Sequence, residues 1–135
     1  MNLTNAQWAF VTSRWLLGVA FLSHLLVRAP KLAAFQAGLL KQFAGTVLPV
    51  ALVGPYALAL PFVEGAIGAL LLLGLFTRPA LVAAMLVLTS LVLGSSLLEQ
   101  WATVGTQLLY GLYVFALLLH VQHNRLGLDR VGRYR

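Results

Sequence analysis

Four long apolar runs, separated by short polar punctuation, organise the chain. They cover about residues 8–27, 52–76, 79–98 and 101–121. A helix needs about 20 mostly apolar residues to cross the hydrocarbon core of a bilayer, and each run meets that length. The first contains a single charge, Arg14, and the second a single charge, Glu64; the third and fourth contain none. The pattern predicts an all-α chain: an integral membrane four-helix bundle over residues 1–122, followed by a basic cytoplasmic tail over residues 123–135. Thr77, Arg78 and Pro79 mark the turn between the second and third runs. Pro79 suits the first turn of a new helix, where its missing N–H costs nothing. Glu99 and Gln100 mark the next turn. Short turns make the second, third and fourth spans antiparallel neighbours.

The first connection, residues 29–50, is too long for a tight turn and too apolar for a solvated loop. Leu32, Phe35, Leu39 and Phe43 fall on one helical face, and Lys31, Gly38, Lys41, Gln42 and Gly45 on the other. Gln36 is the exception. The periodicity predicts a short amphipathic helix at the membrane surface between the first two spans; a re-entrant or buried helix is the competing reading. An even number of spans places both termini on one side. That side holds Arg78, Arg125, Arg130, Arg133 and Arg135, against Arg28, Lys31 and Lys41 on the other. The excess of basic residues assigns both termini to the cytoplasmic side. Trp8 and Trp101 sit near helix ends, as interface anchors do.

Composition strengthens the membrane reading. Hydrophobic residues make up 61% of the 135 and charged residues 9%, whereas a soluble domain carries about 25% charged residues. The net charge of +6 would suggest nucleic acid in a soluble protein. Here the basic residues lie between and beyond apolar runs, so an anionic lipid surface is the expected partner and nucleic acid is not. The absence of cysteine excludes disulfides, thiol redox chemistry, covalent haem attachment through cysteine and cysteine-ligated iron–sulfur clusters within this chain. The first run reads as a retained helix rather than a cleaved signal peptide, since no basic residue precedes Arg14. His24 belongs to the outer end of the first span, and His120 and His123 to the inner end of the fourth. They differ too much in depth to share a haem. No metal-ligand spacing, phosphate loop or nucleophile elbow occurs. The tail after His123 is polar and short, and is expected to be loosely ordered.

Ionisable residues inside a span cost at least about 2.5 kcal/mol each and need a reason. Counted at the helical rise, Arg14 lies about 21 Å below Arg28 and Glu64 about 18 Å below Leu52. Matched depth on consecutive spans predicts an Arg14–Glu64 ion pair. It would serve either as a device that fixes helix register or as a polar site for a quinone headgroup or a proton. Around Glu64, Ala57, Pro61, Gly65 and Gly68 are small residues that permit close helix approach. On the fourth span Thr103, Thr106, Gln107, Tyr110 and Tyr113 form a polar stripe. It is suited to interhelical hydrogen bonds or to a pocket between helices.

The run from Glu64 through Gly65, Gly68 and Gly74 to Thr77 and Arg78 resembles the second-helix signature of the DoxX-like family of small membrane proteins. Arg14-Trp15-Leu16-Leu17-Gly18 resembles that family's first-helix start, and Lys31 its basic residue after that helix. The stretch Phe21–Leu25 departs from the family pattern, with Leu25 where glycine often follows the histidine. The resemblance covers roughly residues 10–122. It implies a four-helix membrane bundle, and a function as the small membrane subunit of a redox complex of the thiosulfate:quinone oxidoreductase kind. A quinone would then sit between the first, second and fourth spans. Arg14, Gln107 and Tyr110 would donate to it, Glu64 would hold Arg14 or take a proton, and His24 would be a secondary contact. No covalently bound cofactor or metal is expected, and a protein partner is. The alternative is a non-catalytic anchor or assembly subunit, with a homo-oligomer left open. A transporter fits less well, for want of broken-helix repeats.

Overall fold

The computed structural model describes residues 2–129. Among these residues the regular structure is helical throughout, with no strand. Helix α1 spans Asn5–Arg28. It starts from a capping box: the Thr4 hydroxyl accepts from the Gln7 amide at 3.3 Å, and the Gln7 side chain accepts from the Thr4 amide at 3.1 Å. Pro30 then falls in a single 3-10 turn, Ala29–Lys31, because proline removes a donor that an α-helix interior would need. Helix α2, Leu32–Phe43, follows at once. Helix α3 spans Val50–Leu73 and carries Pro55 and Pro61 within it. It stops at Gly74, whose φ of 63° closes the helix in the left-handed region that favours glycine. The second span therefore ends at Leu73, three residues short of the expected 76. Helix α4 covers Thr77–Leu97, with Pro79 in its first turn, and α5 covers Trp101–Leu119.

Four segments are long and apolar enough to cross a membrane: Asn5–Phe43, taken as one run, then Val50–Leu73, Thr77–Leu97 and Trp101–Leu119. Helices α1 and α3 lie antiparallel and unusually close. A Cβ on Gly68 would fall on the backbone of Gly18 and Leu22, and one on Gly65 would fall on the Leu25 side chain. The core gathers Leu17 and Phe21 of α1, Ile67 and Leu71 of α3, Leu81 and Leu88 of α4, and Val114 and Leu117 of α5.

Helix α2 covers the part of α3 that α1 does not reach. Its Leu32, Phe35 and Leu39 are half-buried and Phe43 is buried, while Lys31, Gly38, Lys41 and Gln42 are exposed. Gln36, which breaks the amphipathic pattern, is half-buried and donates from Nε2 to the carbonyl of Gly54 at 3.1 Å. Phe43 packs against Gly94 near the end of α4. The helix is thus docked on the bundle by its apolar face.

Candidate functional site

The deepest charged side chain on α3 is Glu64, about 21 Å along the helix from Val50 by the helical rise. It is 1% exposed. Its Oε2 accepts from Nη1 of Arg28 at 2.6 Å, and its Oε1 lies 3.0 Å from Nδ1 of His24. His24 and Arg28 stand four residues apart, which puts both on one face of α1. The Arg28 guanidinium also lies 4.7 Å from the ring centroid of Phe35 on α2, a cation–π distance. Three helices thus build one cluster. A lone buried carboxylate would be strongly unfavourable; here Arg28 supplies the opposite charge. The His24 side chain is 46% exposed. With Nδ1 committed to Glu64, Nε2 is the nitrogen free to meet a ligand.

The expected Arg14–Glu64 pair does not form. Arg14 is fully buried. Its Nη1 donates to the carbonyl of Leu71 and, at 3.3 Å, to that of Leu72; its Nη2 donates to the carbonyl of Leu126 at 2.5 Å. The depth count assumed that α1 ends level with the start of α3. Instead Arg28, at the end of α1, is level with Glu64 in the middle of α3, because α2 takes the remaining length. Arg14 lies ten residues before His24, about 15 Å along α1, and so reaches the other end of α3. There the last carbonyls lack helical partners and carry the negative end of the helix dipole.

Opposite it, Asp129 serves the start of α4. Its carboxylate accepts from the amides of Phe76 at 2.6 Å and Thr77 at 2.8 Å, and its own amide donates to the carbonyl of Gly74 at 3.0 Å. Asn124 Nδ2 adds a 2.9 Å bond to the Thr77 hydroxyl. Helix α4 has no capping side chain at its own N-cap, Phe76, so a residue from beyond α5 does that work. Burial pushes the Asp129 carboxyl up. The hydrogen bonds from Thr77 and Phe76 and the nearby Arg14 charge outweigh it and hold the group below the usual carboxylate range. Residues 124–129 are therefore a clasp, not the loose tail expected. Of the tail arginines, Arg130, Arg133 and Arg135 lie outside the described residues.

The other expected site residues fall elsewhere. Gln107 donates from Nε2 to the Ser95 hydroxyl at 2.9 Å, joining α5 to α4. Tyr110 is 43% exposed and lines a groove of about 320 Å³ between α1 and α5, with Leu16, Leu17, Ala20, Leu109 and Tyr113. Tyr113 closes one end of this seam by donating to the carbonyl of Ser13 at 3.0 Å. Thr103 and Thr106 are exposed, so the polar stripe runs along an open seam rather than facing wholly inward. Of the five expected ligand-binding residues, the structure brings His24 and Glu64 together. Arg14, Gln107 and Tyr110 each lie apart. Arg28 and Asp129 were missed. Arg28 carried a signal, one turn after His24 on the same face. Asp129 carried a weaker one, as the single acid in a basic stretch. Among the described residues no group of three or more metal-binding side chains gathers. Compared with known proteins, the chain matches no family model, no curated protein and no solved structure.

Proposed function

We propose that this chain is a multi-pass integral membrane protein of the DoxX-like kind, with both termini cytoplasmic. In this reading it acts as the membrane subunit of a quinone-linked redox complex, and the quinone headgroup meets it at His24, Glu64 and Arg28. Membrane insertion is supported by the outer surface of the helices. Leu16 of α1, Leu86 of α4 and Leu109 of α5 are each about two-thirds exposed (65%, 66% and 68%), and a soluble monomer rarely exposes large contiguous apolar patches.

One observation carries the functional reading: a carboxylate 1% exposed is held on a histidine that is itself half open. Oxidation of a quinol releases two electrons and two protons. His24 Nε2 would accept one hydroxyl proton, with Glu64 stabilising the resulting imidazolium through Nδ1–H and Arg28 paired to Glu64 at 2.6 Å, and the second hydroxyl proton would pass to solvent. The electrons would pass to an acceptor on a partner subunit. Positioned acid–base groups contribute about 10²–10⁴-fold to rate. His24→Gln in the complex purified from native membranes should therefore lower quinol oxidation by at least about tenfold, with subunit composition unchanged. If His24→Gln assembles and turns over as the parent does, the anchor reading stands. That second reading draws on Arg14, whose terminal nitrogens donate to the protein's own carbonyls, and on Gln107, which donates to the Ser95 hydroxyl.

A further inference from the structure

We infer that the break between α1 and α2 forms a basic, water-filled notch, which brings water and small anions to His24 from the end of the bundle away from the termini. This rests on the membrane insertion proposed above and not on the quinone. The first support is depth. Leu25 packs on Gly65, so Arg28, three residues on, lies about 18 Å along α3 from Val50 by the helical rise. Pro30 ends α1 at this level, inside a hydrocarbon core about 30 Å thick, and the chain turns aside into α2. Lys31 is exposed and, among the described residues, has no acid within ion-pair distance. Even if the 3-10 turn climbed straight along α3, at about 2 Å per residue, Lys31 would still lie about 12 Å short of the level of Val50. An ammonium is costly in hydrocarbon, so at that depth it calls for water.

The second support is the outward face of α2. Ala33, Ala34, Ala37, Gly38 and Lys41 are exposed there, and no large apolar side chain is. Helices α1, α4 and α5 instead turn Leu16, Leu86 and Leu109 outward. Leucine faces suit lipid, and a face of small and charged residues suits water. The third support is charge. His24, Arg28 and Lys31 follow one another at helical spacing along one edge of the notch. Arg28, Lys31 and Lys41, set against Glu64 and against Glu99 of the turn between α4 and α5, leave a positive balance. A recess with low-dielectric walls focuses such a field. Anions therefore gather at the half-open imidazole, and cations are repelled from it.

The chain holds no cysteine, so one introduced thiol reports one position. The test uses the full chain in nanodiscs of zwitterionic phospholipid. It compares Ala29→Cys, exposed in the notch, with Leu86→Cys, exposed on the leucine face of α4. The probes are two water-soluble methanethiosulfonates of similar size, one bearing a sulfonate and the other a trimethylammonium. Only an accessible thiolate reacts, so Ala29→Cys should be modified within about tenfold of the rate of a free thiol, and Leu86→Cys at least about a hundredfold more slowly. Relative to a free thiol, the anionic reagent should be favoured at Ala29→Cys by at least about threefold, and adding Lys31→Gln should diminish that preference. Modification of Ala29→Cys as slow as that of Leu86→Cys overturns the notch. Fast modification of both positions places α4 outside lipid, and the membrane reading fails with the notch. No anionic preference, or one that Lys31→Gln and Lys41→Gln together leave intact, overturns the anion assignment. The quinone reading is judged separately, by the turnover of His24→Gln.

Discussion

Glu64 and Arg14 are each buried far beyond what an ionisable side chain tolerates alone, and they solve the problem differently. Glu64 takes a counter-charge from Arg28 and a hydrogen bond from His24. Among the described residues Arg14 has no acid within ion-pair distance; its two terminal nitrogens donate to three carbonyls, and its Nε is left buried without a partner. Guanidinium suits this, since it presents a fork of donors and keeps its charge. Removing one partner of a buried pair costs about 3–5 kcal/mol. Glu64→Gln or Arg28→Gln alone should therefore lower thermal stability in detergent sharply. The double variant should lose less than the sum, because contacting residues couple. Arg14→Gln combined with Glu64→Gln should be additive, since the two sit at different levels of the bundle. Coupling between Arg14 and Glu64, measured by the same melts, would contradict this geometry.

At the scale of the helices, Asp129 and Gly74 decide how α3 hands over to α4. Losing a capping side chain costs about 0.5–2 kcal/mol, so Asp129→Ala should destabilise by about that amount and speed amide exchange at Phe76 and Thr77. The pH dependence has a definite sign. The native carboxyl titrates below its unfolded value of about 3.9, so the clasp contributes in full above that value. Its contribution is lost as pH falls through the lower native one. Acid-induced melts should show this loss in the parent and not in Asp129→Ala.

The elements were largely legible in the sequence, because each long apolar run reads as one long helix and the amphipathic period dictates the face of α2. What was not legible is the offset between elements. Arg14 and Glu64 can be placed within their own helices by counting. The sliding of α1 along α3, however, is set by the close approach at Gly18 and Gly68 and by the room taken by α2. The clasp was hidden for a related reason: its partners are 52 and 112 residues apart, and no local pattern reports such a contact.

For the whole molecule, the pairing of α1 with α3 is the tightest joint, whereas α1 and α5 meet across an open groove. Gly68→Leu should push α1 off α3, because its Cβ would fall on the backbone of Gly18 and Leu22 whatever the rotamer, and should abolish a stable monodisperse bundle on size-exclusion chromatography. Leu112→Ala, on an exposed face of α5 at 62%, should leave the same profile intact. The joint at Arg14 also has an order in time. Arg14 is synthesised with the first helix, yet its acceptor at Leu126 and the cap at Asp129 are synthesised only after α5. Until then a charged side chain stands in the nascent bundle with part of its cradle missing, and α4 begins without a cap. Translation must therefore reach residue 129 before this end of the bundle can lock. Chains stalled just short of it would hold all four long helices and still lack the contacts that join this end of the bundle.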